Sequence, residues 1–352
     1  MSFIQKLKFF AFYFWLKWLR IRVGKKKFGD VETRFFAEAT VAADLVRHQD
    51  KLANCSIRDA FWIRGKFYVG SLLPQVESIV ISRYLKFGNA ILQLTNAITT
   101  AKQLGICKIY HRGYDFLDDQ ISVDGISLCK GIPINENYLA SSFFPNQLLG
   151  ALCKQPESRF KITRKLASFL KFTKDSTFTD DGPEALHIHI RSGDIFSKKN
   201  PHPSYGQPPL SFYTTVIRSQ NWGKIIIIYE DMRNPVIDKL VNFLSSKNIP
   251  HVIQSKSLQQ DTARLLNATN IVIGRGTFVY PMLCLSNKVR QVFYFEENGA
   301  DEWGLEESKI RFIKLVDTEG EYKNTVLTRW LNTDAQRSLM LNYPEEKIAI
   351  QH

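Results

Sequence analysis

Short apolar runs with a period of two alternate along this chain with longer stretches spaced like a helix. Leu186, Ile188 and Ile190 interleave with His187, His189 and Arg191, a spacing that sends the two sets to opposite sides of a strand. Runs at 225–229, 251–254, 270–273 and 291–295 also read as strands, each divided from the next by a helical stretch. One of those helices is fully signalled, with Asn234 as cap, Pro235 in the first turn and Val236, Ile237, Leu240, Val241 and Leu244 as its apolar stripe. Such alternation predicts a parallel sheet.

The earlier part of the chain repeats the pattern. Residues 61–69 suggest a tight hairpin around Gly65, and residues 78–82 a buried strand. Ile91, Leu94, Ala97, Ile98, Ala101 and Leu104 keep helical spacing, Gly105 is placed to end that helix, and 106–110 is the next parallel strand. The polar stretch from Gln155 to Pro183 reads as the passage between two halves. The expected architecture is therefore α/β, with a head at 1–29, a first domain at 30–180 and a second at 181–352.

Composition adds the head. The chain has 352 residues and a formal charge of +13, and eight of its positive residues precede the first acid, Asp30. Lys6, Lys8, Lys17, Arg20, Arg22 and Lys25 to Lys27 lie among Phe3, Phe9, Phe10, Phe12, Tyr13, Phe14, Trp15 and Trp18. The uninterrupted apolar run from Phe9 to Leu16 is far short of the ~20 residues that span a bilayer. An amphipathic helix lying in the interface of an anionic membrane fits residues 3–27, and it implies a peripheral protein on the cytoplasmic face. A core-facing helix and a short signal-anchor are the alternatives. The mildly basic remainder carries no nucleic-acid-binding module. Five cysteines, Cys55, Cys107, Cys129, Cys153 and Cys284, show neither close pairing nor metal-ligand spacing, which favours reduced thiols.

The candidate chemistry begins where the strand at 186–190 stops. In an open α/β sheet, ligands gather beyond the carboxyl ends of the strands, so Arg191, Gly193 and Asp194 stand where a phosphate would be read, and a guanidinium there can grip a diphosphate bidentately. Gly88 permits close approach of a ligand and Asn89 opens a helix. Gly274-Arg275-Gly276-Thr277 repeats that arrangement, with Arg275 offering charge and Thr277 a hydroxyl. Glu230 and Asp231 end a strand where they can hold a base or ribose or orient Arg191; a solvated strand end is the bland alternative. His189 is either a phosphate donor or a core residue, and the loop from Tyr205 to Tyr213 either an acceptor wall or scaffold. No motif points to a catalytic metal.

These segments resemble a known family. His189-Ile-Arg-Ser-Gly-Asp194 is similar to the H-x-R-x-G-D motif of the α1,2-, α1,6- and protein O-fucosyltransferase superfamily. The run from Lys86 to Ala97 resembles that superfamily's G-x-G-N segment, with Lys86 in place of the first glycine, and 261–278 resembles its block in which a Ser/Thr-Phe pair, here Thr277-Phe278, follows a strand. Many relatives carry a second arginine where Ser192 stands, which leaves one charge contact fewer.

The resemblance implies a GT-B fold of two facing Rossmann-like domains, with the donor nucleotide held mainly by the second. It implies an inverting, metal-independent glycosyltransferase in which Arg191 binds the β-phosphate of GDP-fucose and a glycan hydroxyl attacks. Asp194, His202 and Asp115 remain candidates for the general base. A GT-B enzyme using another nucleotide sugar, and a catalytically silent carbohydrate-binding or scaffold protein, remain alternatives.

Overall fold

In the computed structural model, described for residues 60–63, 77–81, 84–133, 136–141, 143–144, 158–173, 180–197, 201–297 and 299–351, two sheets are built from strands that alternate with helices. The chain divides into two units, Met1–Glu157 and Ser158–His352. Both are α/β, as the alternating periods require. The head at 1–29 and the residues around Gly65 lie outside the described residues.

The first unit holds β1 (Ala60–Ile63), β2 (Ser78–Ile81), helix α1 (Phe87–Leu104), β3 (Lys108–His111), β4 (Ile121–Val123), β5 (Ile126–Lys130) and β6 (Asn137–Ser141). Its sheet runs in the order β1-β6-β2-β3-β5-β4. β2 is parallel to β6 and to β3, so β2-α1-β3 is the expected strand-helix-strand unit. β1 pairs antiparallel with β6, which is distant in sequence. Gly105 closes α1 in the left-handed conformation at φ 67°, its N–H reaching the carbonyls of Ala101 and Lys102.

The second unit opens with α2 (Arg159–Leu166), inside the polar stretch read as a passage between halves. Its side chains explain the difference. Ser158 caps it, and only Ile162, Thr163 and Leu166 are buried, a stripe too narrow to stand out among the surrounding lysines and serines.

There follow β7 (Ala185–Ile190), the short α3 (Asp194–Ser197), α4 (Leu210–Arg218), β8 (Lys224–Tyr229), α5 (Val236–Ser246), β9 (His251–Gln254), α6 (Leu258–Asn267), β10 (Asn270–Ile273), α7 (Val279–Leu285) and β11 (Gln291–Phe295). Beyond the last strand read from sequence come α8 (Ala300–Trp303), β12 (Arg311–Asp317), a π-helical turn at Lys323–Leu327, α9 (Asp334–Asn342) and β13 (Ile348–Gln351).

The second sheet runs β13-β12-β11-β10-β7-β8-β9, parallel throughout except for β13. β7 lies inside it, between β10 and β8, and every residue of it is buried. The alternation within β7 therefore separates two covered faces rather than an inner from an outer one, as in parallel sheets with helices on both sides. Leu186, Ile188 and Ile190 join Ile225, Ile227 and Val272 in one hydrophobic cluster. Each such side chain contributes about 1.5–3 kcal/mol on burial, which holds the carboxyl end of β7 on a rigid platform.

Candidate functional site

The chain runs outward from β7 to β8 and β9, then returns to the other side of β7 with β10, β11 and β12. Counted along the chain, the six parallel strands have the order 3-2-1-4-5-6, and the direction of winding reverses between β7 and β10. Loops diverge at such a switch point and open a crevice beyond the carboxyl ends of the two strands. Arg191 to Asp194 follow β7, and Gly274 to Phe278 follow β10. Register ties the two ends together, since Ile273 pairs with His189 and the Gly274 N–H donates to the His189 carbonyl at 3.2 Å.

Arg191 extends across this junction. Its Nη2 donates to Asp194 Oδ1 at 2.7 Å and its Nη1 to Glu230 Oε2 at 3.3 Å, while its Cδ would lie 3.9 Å from a Cβ on Gly276. The side chain is one quarter exposed. Gly193 makes the turn at φ +71°, and a Cβ there would stand 2.3 Å from Glu230 Oε2. The left-handed conformation is what calls for glycine here, since the Glu230 carboxylate is the end of a flexible side chain and could swing aside.

Asp194 is thus placed to aim the guanidinium. Ser192 turns inward. It is fully buried, donates to Asp231 Oδ1 at 2.6 Å and accepts from the Asn234 N–H at 3.0 Å. Asp231 also accepts from the N–H groups of Gly193 and Arg233, so its carboxylate serves the turn itself. Burial alone would raise its pKa, but these hydrogen bonds, with Ser192 foremost, hold it below the usual carboxylate range. Asn234 caps α5 as expected, its Oδ1 accepting from the Val236 N–H at 3.0 Å, and its Nδ2 donates back to the Arg191 carbonyl at 2.9 Å.

His189 is buried against Phe278, the rings stacked at 5.0 Å. Burial, followed by the charge of Arg191, lowers its pKa to about 3, so the ring is neutral, and its Nδ1 has no hydrogen-bond partner. His187 is the core residue expected, with Nε2 3.1 Å from the buried Asp181 carboxylate.

Arg275 departs from the simple picture of an available charge. Its Nη1 donates to the Leu327 carbonyl at 2.7 Å, its Nη2 pairs with Glu297 at 3.4 Å, and its backbone N–H is held by Gln207 Oε1 at 3.1 Å. It therefore shapes the loop from inside. Gly276, beside Arg191, and Thr277, before α7, are partly exposed.

Gln207 was not singled out by the sequence. It is fully buried and donates from Nε2 to the carbonyls of Tyr205 and Arg275. The only local signal was a polar residue between Gly206 and Pro208-Pro209 in an otherwise apolar stretch. The loop read as a possible acceptor wall is accordingly also scaffold, although Tyr205 itself is exposed.

Other candidates fall elsewhere. Gly88 and Asn89 are the second and third residues of α1, inside its first turn rather than in a glycine turn leading to it, and they belong to the first unit. Asp115 is exposed in a loop of that unit, and His202 accepts from the Ser204 N–H through Nδ1. Among the described residues, no group of three or more His, Cys, Asp or Glu is placed to hold a metal ion, and no helix is long and apolar enough to cross a membrane.

No family model and no curated protein matches the chain. Among solved structures, a mutant of Arabidopsis thaliana FUT1 in complex with GDP is similar over 65% of this chain and 73% of its own, with 11% identity and a TM-score of 0.39. POFUT1 in complex with GDP is similar over 63% of this chain and 98% of its own, with 10% identity and a TM-score of 0.40. At that degree of likeness the site's own geometry has to carry the functional reading.

Proposed function

We propose that this protein is a glycosyltransferase that moves fucose from GDP-fucose to a hydroxyl of a glycan, with inversion and without a metal ion. The observation that carries the reading is Arg191, held by Asp194 at the switch point of a parallel sheet and followed by the tight turn at Gly193. A preorganised guanidinium at that place stabilises the negative charge that builds on a departing diphosphate, where it acts more strongly than on the bound donor. Gly276 leaves room beside it for the phosphates. The acceptor oxygen attacks the anomeric carbon as the bond to the β-phosphate oxygen breaks, and its proton passes to a base.

The second unit holds the donor in this proposal. The aromatic and basic head at 3–27 supports attachment to the cytoplasmic face of an anionic membrane, which suits a lipid-linked or surface-polysaccharide acceptor.

Thermal shift with GDP, UDP, CMP and dTDP tests the reading. A ligand at 100 times its dissociation constant stabilises by about 2.7 kcal/mol, and GDP is the nucleotide expected to do so. A shift with UDP alone would reassign the donor, and no shift with any of them would remove the enzyme reading.

A further inference from the structure

Two carboxylates follow β8, and their surroundings separate their roles. Asp231 is taken up by Ser192 and by the N–H groups of Gly193 and Arg233. Glu230 has its backbone fixed from the next strand, Ser255 Oγ donating to its carbonyl at 3.2 Å, while its side chain leans over Gly193 toward Arg191 and is 44% exposed.

That position has a consequence in a sheet of order 3-2-1-4-5-6. With phosphates at the junction of the first and fourth strands, an acid at the end of the second stands where a ribose lies, and a carboxylate there accepts from both ribose hydroxyls. The Arg191 contacts permit the exchange. The 2.7 Å bond to Asp194 is of ordinary length for a charge-assisted hydrogen bond, whereas 3.3 Å to Glu230 is longer. Arg191 keeps its anchor when Glu230 turns to a ligand.

We propose that Glu230 reads the ribose diol of a nucleoside diphosphate. The nucleoside then lies toward β8 and β9, and the transferred sugar toward β10 and β11. The assignment rests on the nucleotide-sugar reading and deepens it, because it disfavours donors built on deoxyribose.

The test is calorimetric titration of the full chain with GDP, 2′-deoxy-GDP and 2′,3′-dideoxy-GDP. Loss of hydrogen bonds to a charged acceptor should make the wild-type protein prefer GDP over 2′-deoxy-GDP by about 10-fold. In Glu230→Ala that preference should shrink to within about 2-fold, whatever happens to the affinity for GDP itself, and Glu230→Gln, which keeps one acceptor oxygen, should fall between. GDP and its deoxy analogues binding the wild-type protein equally would overturn the assignment while leaving the nucleotide-sugar reading intact. So would an undiminished preference in Glu230→Ala. Failure of the wild-type protein to bind any nucleoside diphosphate would remove both.

Discussion

The side-chain amide of Gln207 clasps the main chain of Arg275 on both sides, its Oε1 accepting the N–H at 3.1 Å and its Nε2 donating to the carbonyl at 3.1 Å. The Gln207 carbonyl in turn accepts from the buried Tyr322 hydroxyl at 2.6 Å, and the Arg275 guanidinium reaches Leu327. Three segments far apart in sequence are joined here: the loop before α4, the glycine loop after β10 and the π-helical turn. The joint lies close to the start of the Arg191 turn, since a Cβ on Gly274 would stand 2.8 Å from Gln207 Oε1 and 3.5 Å from the Arg191 backbone nitrogen.

Replacing Gln207 with Leu keeps the volume but leaves the Arg275 peptide unpaired, at a cost of about 1–3 kcal/mol. The loop should loosen, so KM for the donor should rise several-fold while KM for the acceptor stays unchanged. Equal changes in both would make Gln207 a general stability residue. Gly206→Ala should be harsher, because a Cβ would stand 2.1 Å from the Val326 carbonyl oxygen, and backbone cannot swing aside as a side-chain end does. A loss of more than ~2 kcal/mol in chemical denaturation is expected.

Arg191→Ala removes the group that meets the developing charge, and transfer should fall at least ~100-fold. Arg191→Lys should recover only part of that loss, since a point charge lacks the planar two-bond geometry. Circular dichroism and melting temperature should be nearly unchanged for both. Unfolding of the alanine variant, or transfer at the wild-type rate, would make Arg191 a structural residue.

Acid should destabilise the fold through its buried histidines. Burial holds His187 and His111 at about 4 and His189 at about 3, against an ordinary value near 6.5. The unfolded chain therefore takes up protons that the folded chain refuses, so this stability is full above about pH 6.5 and is lost as the pH falls toward 4. Asp181 acts in the same direction at lower pH. Burial would raise its pKa, but Arg264, Lys224 and His187 hold it well below the usual carboxylate range, so its contribution is lost only as the pH drops below about 3.8. Melting temperature should fall steadily from about pH 6.5 to about pH 4.5, and His187→Asn should flatten part of that slope. A flat profile would contradict the burial assigned to these rings.

Removing residues 1–29 should release the protein from anionic vesicles while leaving transfer to a soluble acceptor nearly intact. Vesicle co-sedimentation with and without phosphatidylserine reads the first effect. Insolubility of the shortened chain would place the head in the core instead.

Much of the second sheet was legible because a buried parallel strand is a local feature. The runs at 225–229, 251–254, 270–273 and 291–295 correspond within a residue to β8, β9, β10 and β11, and Asn234 and Gly105 bound their helices through short-range hydrogen bonds. Arg191 and Gly193 could be picked out for the same reason, as a charge and a turn directly after such a run. Strand order was not local. Only the folded chain sets β10 beside β7, making their ends a switch point, and only it lays Glu230 over Gly193 while consigning the adjacent Asp231 to Ser192. Gln207 and Arg275 are 68 positions apart, and Arg191 and Glu230 are 39 apart. No periodicity of two or 3.6 residues carries information over such distances, because these contacts follow from how the sheet winds rather than from how any one segment is patterned.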